Sequence, residues 1–184
     1  ISGNQALGEH SSGGGISATL IDATYSTITN NQATGAGSLG GGVFSFQNST
    51  FTGSILAGNE AATGSDDFAA PGDFGTRLFF SLLGDTTDIN VIESDGALLD
   101  LDPLLGPLFN NGGPTLTHAP LVGSPVVNAG DPTLSDVPTT SQFGPLDGLT
   151  DQRGEGFPRV TDGGEAGVYR IDLGAVEFPG ATAP

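Results

Sequence analysis

The groups in this chain that could do chemistry are its acids: 21 Asp and Glu stand against four basic residues. Asp66-Asp67 is the one adjacent acidic pair. Glycoside hydrolysis needs two carboxylates about 5 to 9.5 Å apart across a sugar. A polygalacturonase-like site would add a Gly-His-Gly and an Arg-x-Lys, and the chain has neither and no lysine. A lyase would want a cationic base near a calcium-bound uronate, and Arg77 is the only base before Arg153. His10 and His118 are far apart in sequence, and no Ser-His-Asp order suggests a triad. The chain therefore reads as a protein without an enzymatic site. Asp151, Arg153 and Arg159 fall close together, either as a clamp for a carbohydrate carboxylate or as an internal Arg–Asp network. The second reading is the stronger, because Arg is the favoured partner of a fixed carboxylate. Oxygen ligands for calcium are plentiful at Asp131, Asp136, Asp147, Asp151, Asp162 and Asp172, but in no EF-hand or nonapeptide order. Calcium is thus the one cofactor left open, with Asp131, Asp151, Asp162 and Asp172 as its candidate ligands.

The formal charge of −17 makes nucleic acid and anionic membrane poor partners, since both call for clustered cations. An acid excess suits solubility in a salty or extracellular setting. With no cysteine, disulfides, thiolate metal sites and thiol catalysis are excluded. No apolar run reaches the length of a membrane span.

Whatever these residues do, a repeat must position them. Ile1, Ile28, Ile55 and Leu82 recur every 27 positions, and Gly13-Gly14-Gly15-Ile16 returns as Gly40-Gly41-Gly42-Val43. Such a period marks a solenoid, whose repeats cannot bury their apolar faces alone. Small, polar and β-branched residues between glycines favour strands and turns. The expected fold is all-β: a right-handed parallel β-helix of about 27 residues per coil over residues 1–110, with an irregular capping region of long loops over 111–184. Ile1, Ile28, Ile55 and Leu82 should form one ladder, and Asn4, Asn31 and Asn59 a second, satisfying buried corner groups. Ile16, Ala18 and Leu20 should point inward. Asp22-Ala23-Thr24-Tyr25 aligns with Asn48-Ser49-Thr50-Phe51 at a spacing of 26. Residues 61 to 78 read as a longer-looped coil. Residues 91 to 111 read as a further coil, with Phe109 27 positions after Leu82. Pro132 to Gly148 reads as a loop excursion, and Val168 to Phe178 as one or two final strands. Ile1-Ser2-Gly3-Asn4-Gln5-Ala6 matches Ile28-Thr29-Asn30-Asn31-Gln32-Ala33, so the chain opens inside a repeat and reads as a piece of a longer protein. Its partners at the N-terminal end would be upstream coils or other copies of the chain.

Several motifs from Leu101 onward add a resemblance. Leu101-Asp102-Pro103-Leu104-Leu105-Gly106-Pro107-Leu108 precedes Asn111-Gly112-Gly113-Pro114-Thr115-Leu116-Thr117-His118. Then come Leu121-Val122-Gly123-Ser124-Pro125-Val126-Val127-Asn128-Ala129-Gly130-Asp131, Asp151-Gln152-Arg153-Gly154, Phe157-Pro158-Arg159 and Ile171-Asp172-Leu173-Gly174-Ala175-Val176-Glu177. In this order they resemble the C-terminal block of the bacterial choice-of-anchor Q family, and Ser81-Leu82-Leu83-Gly84-Asp85 is similar to its last coils. The resemblance implies a secreted or surface right-handed β-helix protein, related in style to polymorphic outer-membrane proteins and attached by a sorting tail. It supplies no catalytic residues. The aspartate-rich stretch often found before the family's last strand is reduced here to Asp162-Gly163-Gly164-Glu165. The expected function is a non-catalytic, extracellular structural or adhesive module that contributes to a rod or fibre. The alternative is a β-helix that binds or degrades carbohydrate, such as a surface polysaccharide.

Overall fold

A computed structural model describes residues 1–134, 150–160 and 170–178. The chain divides into two compact units, Ile1–Asp102 and Pro103–Pro184, where the sequence suggested a division near residue 110.

In unit 1 short strands recur in the same order. The first set is β1 (Gln5–Ala6), β2 (Ile16–Ala18), β3 (Asp22–Thr24) and β4 (Thr27–Thr29). The second is β5 (Gln32–Ala33), β6 (Val43–Ser45), β7 (Ser49–Thr52) and β8 (Ile55–Ala57). The third is β9 (Glu60–Ala61), β10 (Phe68–Ala69), β11 (Thr76–Phe79) and β12 (Leu82–Leu83), after which come β13 (Val91–Asp95) and β14 (Leu98–Leu99). Each set gives one strand to each of four parallel sheets, ordered β1-β5-β9, β2-β6-β10, β3-β7-β11-β13 and β4-β8-β12-β14. A single strand of two to five residues buries too little to stand alone, so stacking between successive sets supplies the stability.

The register corrects the expected column. Thr27, Ile55, Leu82 and Leu98 are partners, whereas Ile28 faces Leu56, which faces Leu83. Ile55 and Leu82 do share a line, but Ile28 is not in it. Ile1 sits in the Ile28 line, since Ser2 pairs with Thr29, and it is 57% exposed. Ile28, Leu56 and Leu83 pack in the core with Ile21, Val43, Phe51, Phe68 and Leu78. Side chains alternate along a strand, so Ile55 and Leu82 point to the other face of their sheet, and they are buried there too.

Further corrections share one cause, variation in repeat length at the corners. Ile16 pairs with Val43 at 27, but Asp22 pairs with Thr50 at 28, not with Asn48 at 26. Ile16 and Ala18 pack against the core, but Leu20 is exposed and Ile21 enters in its place. Residues 61–78 contain β10 and the start of β11, both in register with the sheets. Leu98 follows its partner Leu82 by only 16 positions, so the last set omits two of the four sheets. Phe109 instead pairs antiparallel with Thr117 inside unit 2.

Unit 2 has almost no regular structure among the described residues. It contains the antiparallel bridges Leu105–Pro120, Phe109–Thr117 and Thr150–Pro158 and a 3-10 turn at Pro132–Leu134. The expected final strands are absent over Ile171–Phe178; residues 161–169, like most of the expected 132–148 excursion, lie outside the described residues.

Candidate functional site

The acidic pair singled out from the sequence ends an internal hydrogen-bond ladder. Asn4 Nδ2 donates to Asn31 Oδ1 at 2.9 Å, and Asn31 Nδ2 to Asn59 Oδ1 at 2.9 Å. Asn59 Nδ2 then donates to Asp67 Oδ1 at 2.8 Å. Each asparagine also sends its backbone N–H to the same oxygen as its amide. Gly15 and Gly42 make room: a Cβ on either would fall within 2.9 Å of the Asn31 or Asn59 amide. The other oxygen of Asp67 accepts from the Asp85 N–H at 3.0 Å, and the residue is 1% exposed. Burial pushes its carboxyl above the ordinary range, against the pull of the Asn59 donors. Asp66 accepts the Ala61 N–H at 2.8 Å. Both carboxylates are thus engaged in holding backbone.

Unit 2 contains the denser charged cluster: Asp151, Arg153, Arg159, Asp172 and Glu177, all buried. Its backbone is irregular, so side chains must satisfy groups that a sheet would have paired. Arg153 meets Asp151 in a forked contact, with Nη2 to Oδ2 at 2.6 Å and Nε to Oδ2 at 3.0 Å. Its Nη2 also donates to the Glu177 carbonyl at 2.9 Å, and its guanidinium lies 4.1 Å from the Phe157 ring centre. Asp151 Oδ2 accepts the Glu177 N–H at 2.9 Å in return. Arg159 Nε stands 3.2 Å from Glu177 Oε1, and its Nη2 donates to the Gly174 carbonyl. Glu177 Oε2 accepts the Asp172 N–H at 2.9 Å. Asp172 accepts the Asn128 N–H at 2.7 Å and the Phe178 N–H. Leu173 N–H donates to Val126 and Gly130 N–H to Ile171. The cluster therefore joins three segments far apart in sequence, around 126–130, 151–159 and 171–178.

Its electrostatics are uneven. Three carboxyls face two guanidiniums, so one retained proton would balance the group. Burial pushes the Glu177 carboxyl up to about 9, opposed by the Arg159 guanidinium and reinforced by the Asp172 charge. Burial also raises Asp172, against the N–H groups of Asn128 and Phe178. A carboxyl raised in the folded state stabilises the fold below its unfolded pKa, and that stability is lost as pH rises through the folded value. For Glu177 the window runs from 4.5 to about 9. We expect the melting temperature of unit 2 to fall across that window. Glu177→Gln, which keeps an oxygen for the Asp172 N–H and does not titrate, should flatten the fall. Equal slopes in the two proteins would place the proton elsewhere.

Of the candidate calcium ligands, Asp151 faces Arg153 and Asp172 faces backbone N–H groups. Asp131 closes a local turn on the Thr133 N–H and hydroxyl. Asp162, Asp136 and Asp147 lie outside the described residues. No three His, Asp or Glu side chains converge as a metal site among the described residues. The alternative of a clamp for a sugar carboxylate meets an obstacle, since Arg153 and Arg159 are only 5% and 4% exposed. His118 Nδ1 lies 2.8 Å from the Gly106 carbonyl, within unit 2, and the His10 ring lies against Gly37. The Arg–Asp network was legible in Asp151 and Arg153. The parts of Asp172 and Glu177 were not, although two acids inside the apolar run Ile171 to Glu177 are the signal that could have revealed them.

Comparison with protein-family models, with curated proteins and with solved structures returned no match.

Proposed function

We propose that the chain is a non-catalytic structural or adhesive module of a secreted or cell-surface protein, built as a right-handed parallel β-helix with an irregular cap. Four parallel sheets that each collect one strand per repeat support the architecture. The resemblance of residues 101–177 to the choice-of-anchor Q family supports the extracellular setting, and three of the segments that carry it are joined by the buried cluster.

One observation carries the functional reading. The carboxylates best placed in sequence for hydrolysis, Asp66 and Asp67, accept hydrogen bonds from Ala61, Asn59 and Asp85 of their own chain. A general acid or base has to be within reach of its substrate, and Asp67 is enclosed. Its chemistry is that of a terminal acceptor in a ladder. The module would work mechanically, as a stacked and rigid body that displays its surface.

Incubation with polygalacturonate or alginate is expected to release no reducing ends and no unsaturated uronate. Turnover that disappears in an Asp66→Asn, Asp67→Asn variant with an unchanged circular dichroism spectrum would favour the carbohydrate-degrading alternative instead.

A further inference from the structure

The two amide ladders of unit 1 point the same way. In the asparagine ladder each repeat donates to the next one along the chain. The glutamine ladder repeats this, with Gln5 Nε2 to Gln32 Oε1 at 2.9 Å and Gln32 Nε2 to Glu60 Oε2 at 3.0 Å. The serines run both ways: the N–H groups of Ser26, Ser54 and Ser11 donate forward to Ser54, Ser81 and Ser38 Oγ, while the Ser38, Ser54 and Ser81 hydroxyls donate back to the Gly8, Ala23 and Phe51 carbonyls. The two amide ladders then end in acids, Asp67 and Glu60. Each accepts the last amide of its ladder and passes no side-chain donor on to a further repeat among the described residues.

The opposite end is chemically open. β1, β2, β3 and β4 are the edge strands of all four sheets on that side. Such edges leave alternate backbone N–H and C=O groups unpaired. Asn4 Oδ1 and Gln5 Oε1 receive no donor among the described residues, while their amide nitrogens are committed to Asn31 and Gln32. The face is therefore a row of side-chain acceptors set between strand edges. Resting on the structural-module reading, we infer that this face binds one further β-repeat of the same kind, whose adjacent Asn and Gln amides donate to Asn4 Oδ1 and Gln5 Oε1. A second copy of the chain fits poorly by either end. Its own equivalent face would oppose acceptors to acceptors, and its ladders end in Asp67 and Glu60, whose carboxyl oxygens are placed as acceptors. Polarity of the ladders, rather than apolar area, selects the occupant.

The test adds such a repeat to the full chain. A copy of residues 28–54 fused directly before Ile1 places its Asn31 and Gln32 27 positions ahead of Asn4 and Gln5. A second fusion carries Asn31→Asp and Gln32→Glu within the copy, changing donors to acceptors at constant shape. The first fusion is expected to slow amide exchange in residues 3–6 and 16–18 by about tenfold or more, and the second to leave it near the rate of the original chain. Circular dichroism of the original 184 residues, unchanged in both, separates lost docking from lost folding. Equal protection by both fusions, or by neither, would overturn the inference. So would sedimentation of the unfused chain as a dimer with these amides already protected, which would make a second copy the occupant. None of these outcomes bears on the absence of turnover, so the structural-module reading stands or falls separately.

Discussion

Leu56→Asp is expected to abolish the folded state of unit 1. Leu56 is fully buried between its register partners Ile28 and Leu83 and belongs to the core cluster. The substitution removes the burial of a leucine side chain, about 1.5–3 kcal/mol. It also places a carboxyl where no donor waits, which costs several kcal/mol or forces the acid to stay protonated. Small domains are stable by about 5–15 kcal/mol in all, so the sum is a large share of the total. Ile55→Asp should also be severe, because Ile55 is buried on the opposite face of the same strand. The informative control is Phe109→Ser. A strict spacing of 27 would make Phe109 a member of the column, whereas it is 64% exposed and paired with Thr117. Its replacement should change stability by no more than about 0.5 kcal/mol. Thermal melts of the three variants decide between the register seen in the structure and the one that spacing alone suggests. A Phe109 variant as damaged as Leu56→Asp would restore the simple spacing.

Why spacing misleads here is itself physical. Ile55-Leu56 and Leu82-Leu83 are adjacent apolar pairs, so an alignment by residue type can slide by one without penalty. In a strand that slide exchanges the two faces. The extra residue that moves the spacing from 27 to 28 falls between Ser45 and Thr50, at the corner joining β6 to β7, where it disturbs no ladder. The glycine triplets had no such ambiguity. Ile16 pairs with Val43 as the spacing predicts, because Gly15 and Gly42 must both leave space for an asparagine amide. Asn4, Asn31 and Asn59 were legible for the same reason: a ladder needs one residue type at every level. Asp67 was not, because the chain reaches the last rung through a shortened excursion of eight residues from Asn59, not a full repeat. Unit 2 offered no period at all. Its order comes from side chains bonding to backbone across separations such as 44 residues between Asn128 and Asp172, and no local pattern encodes such pairs. Beyond the neighbours Asp151 and Arg153, motif order pointed to these segments without saying which acid meets which arginine.

Arg153→Ala is the variant that should most damage unit 2. The guanidinium holds both oxygens of Asp151 and the Glu177 carbonyl, and covers the Phe157 ring. Its loss leaves Asp151, whose side chain is fully enclosed, as an uncompensated buried charge. Breaking such a pair from one side costs about 3–5 kcal/mol. Lysine is a poor substitute, since one ammonium cannot reproduce the fork or the flat contact with Phe157. The reverse comparison isolates the charge. Asp151→Asn, Arg153→Met removes both partners and fills most of the volume, so it should cost less than Arg153→Ala alone. Amide exchange read by segment is the suitable measurement, because the cluster joins stretches that lack a common sheet. Arg153→Ala should speed exchange near residues 126–130, 150–160 and 171–178 together, while the paired strands β5 to β8 keep their rates. Acceleration confined to 150–160 would mean that Arg153 secures only its own turn. The remaining cluster, Arg159 with Asp172 and Glu177, would then be what holds the three segments in place.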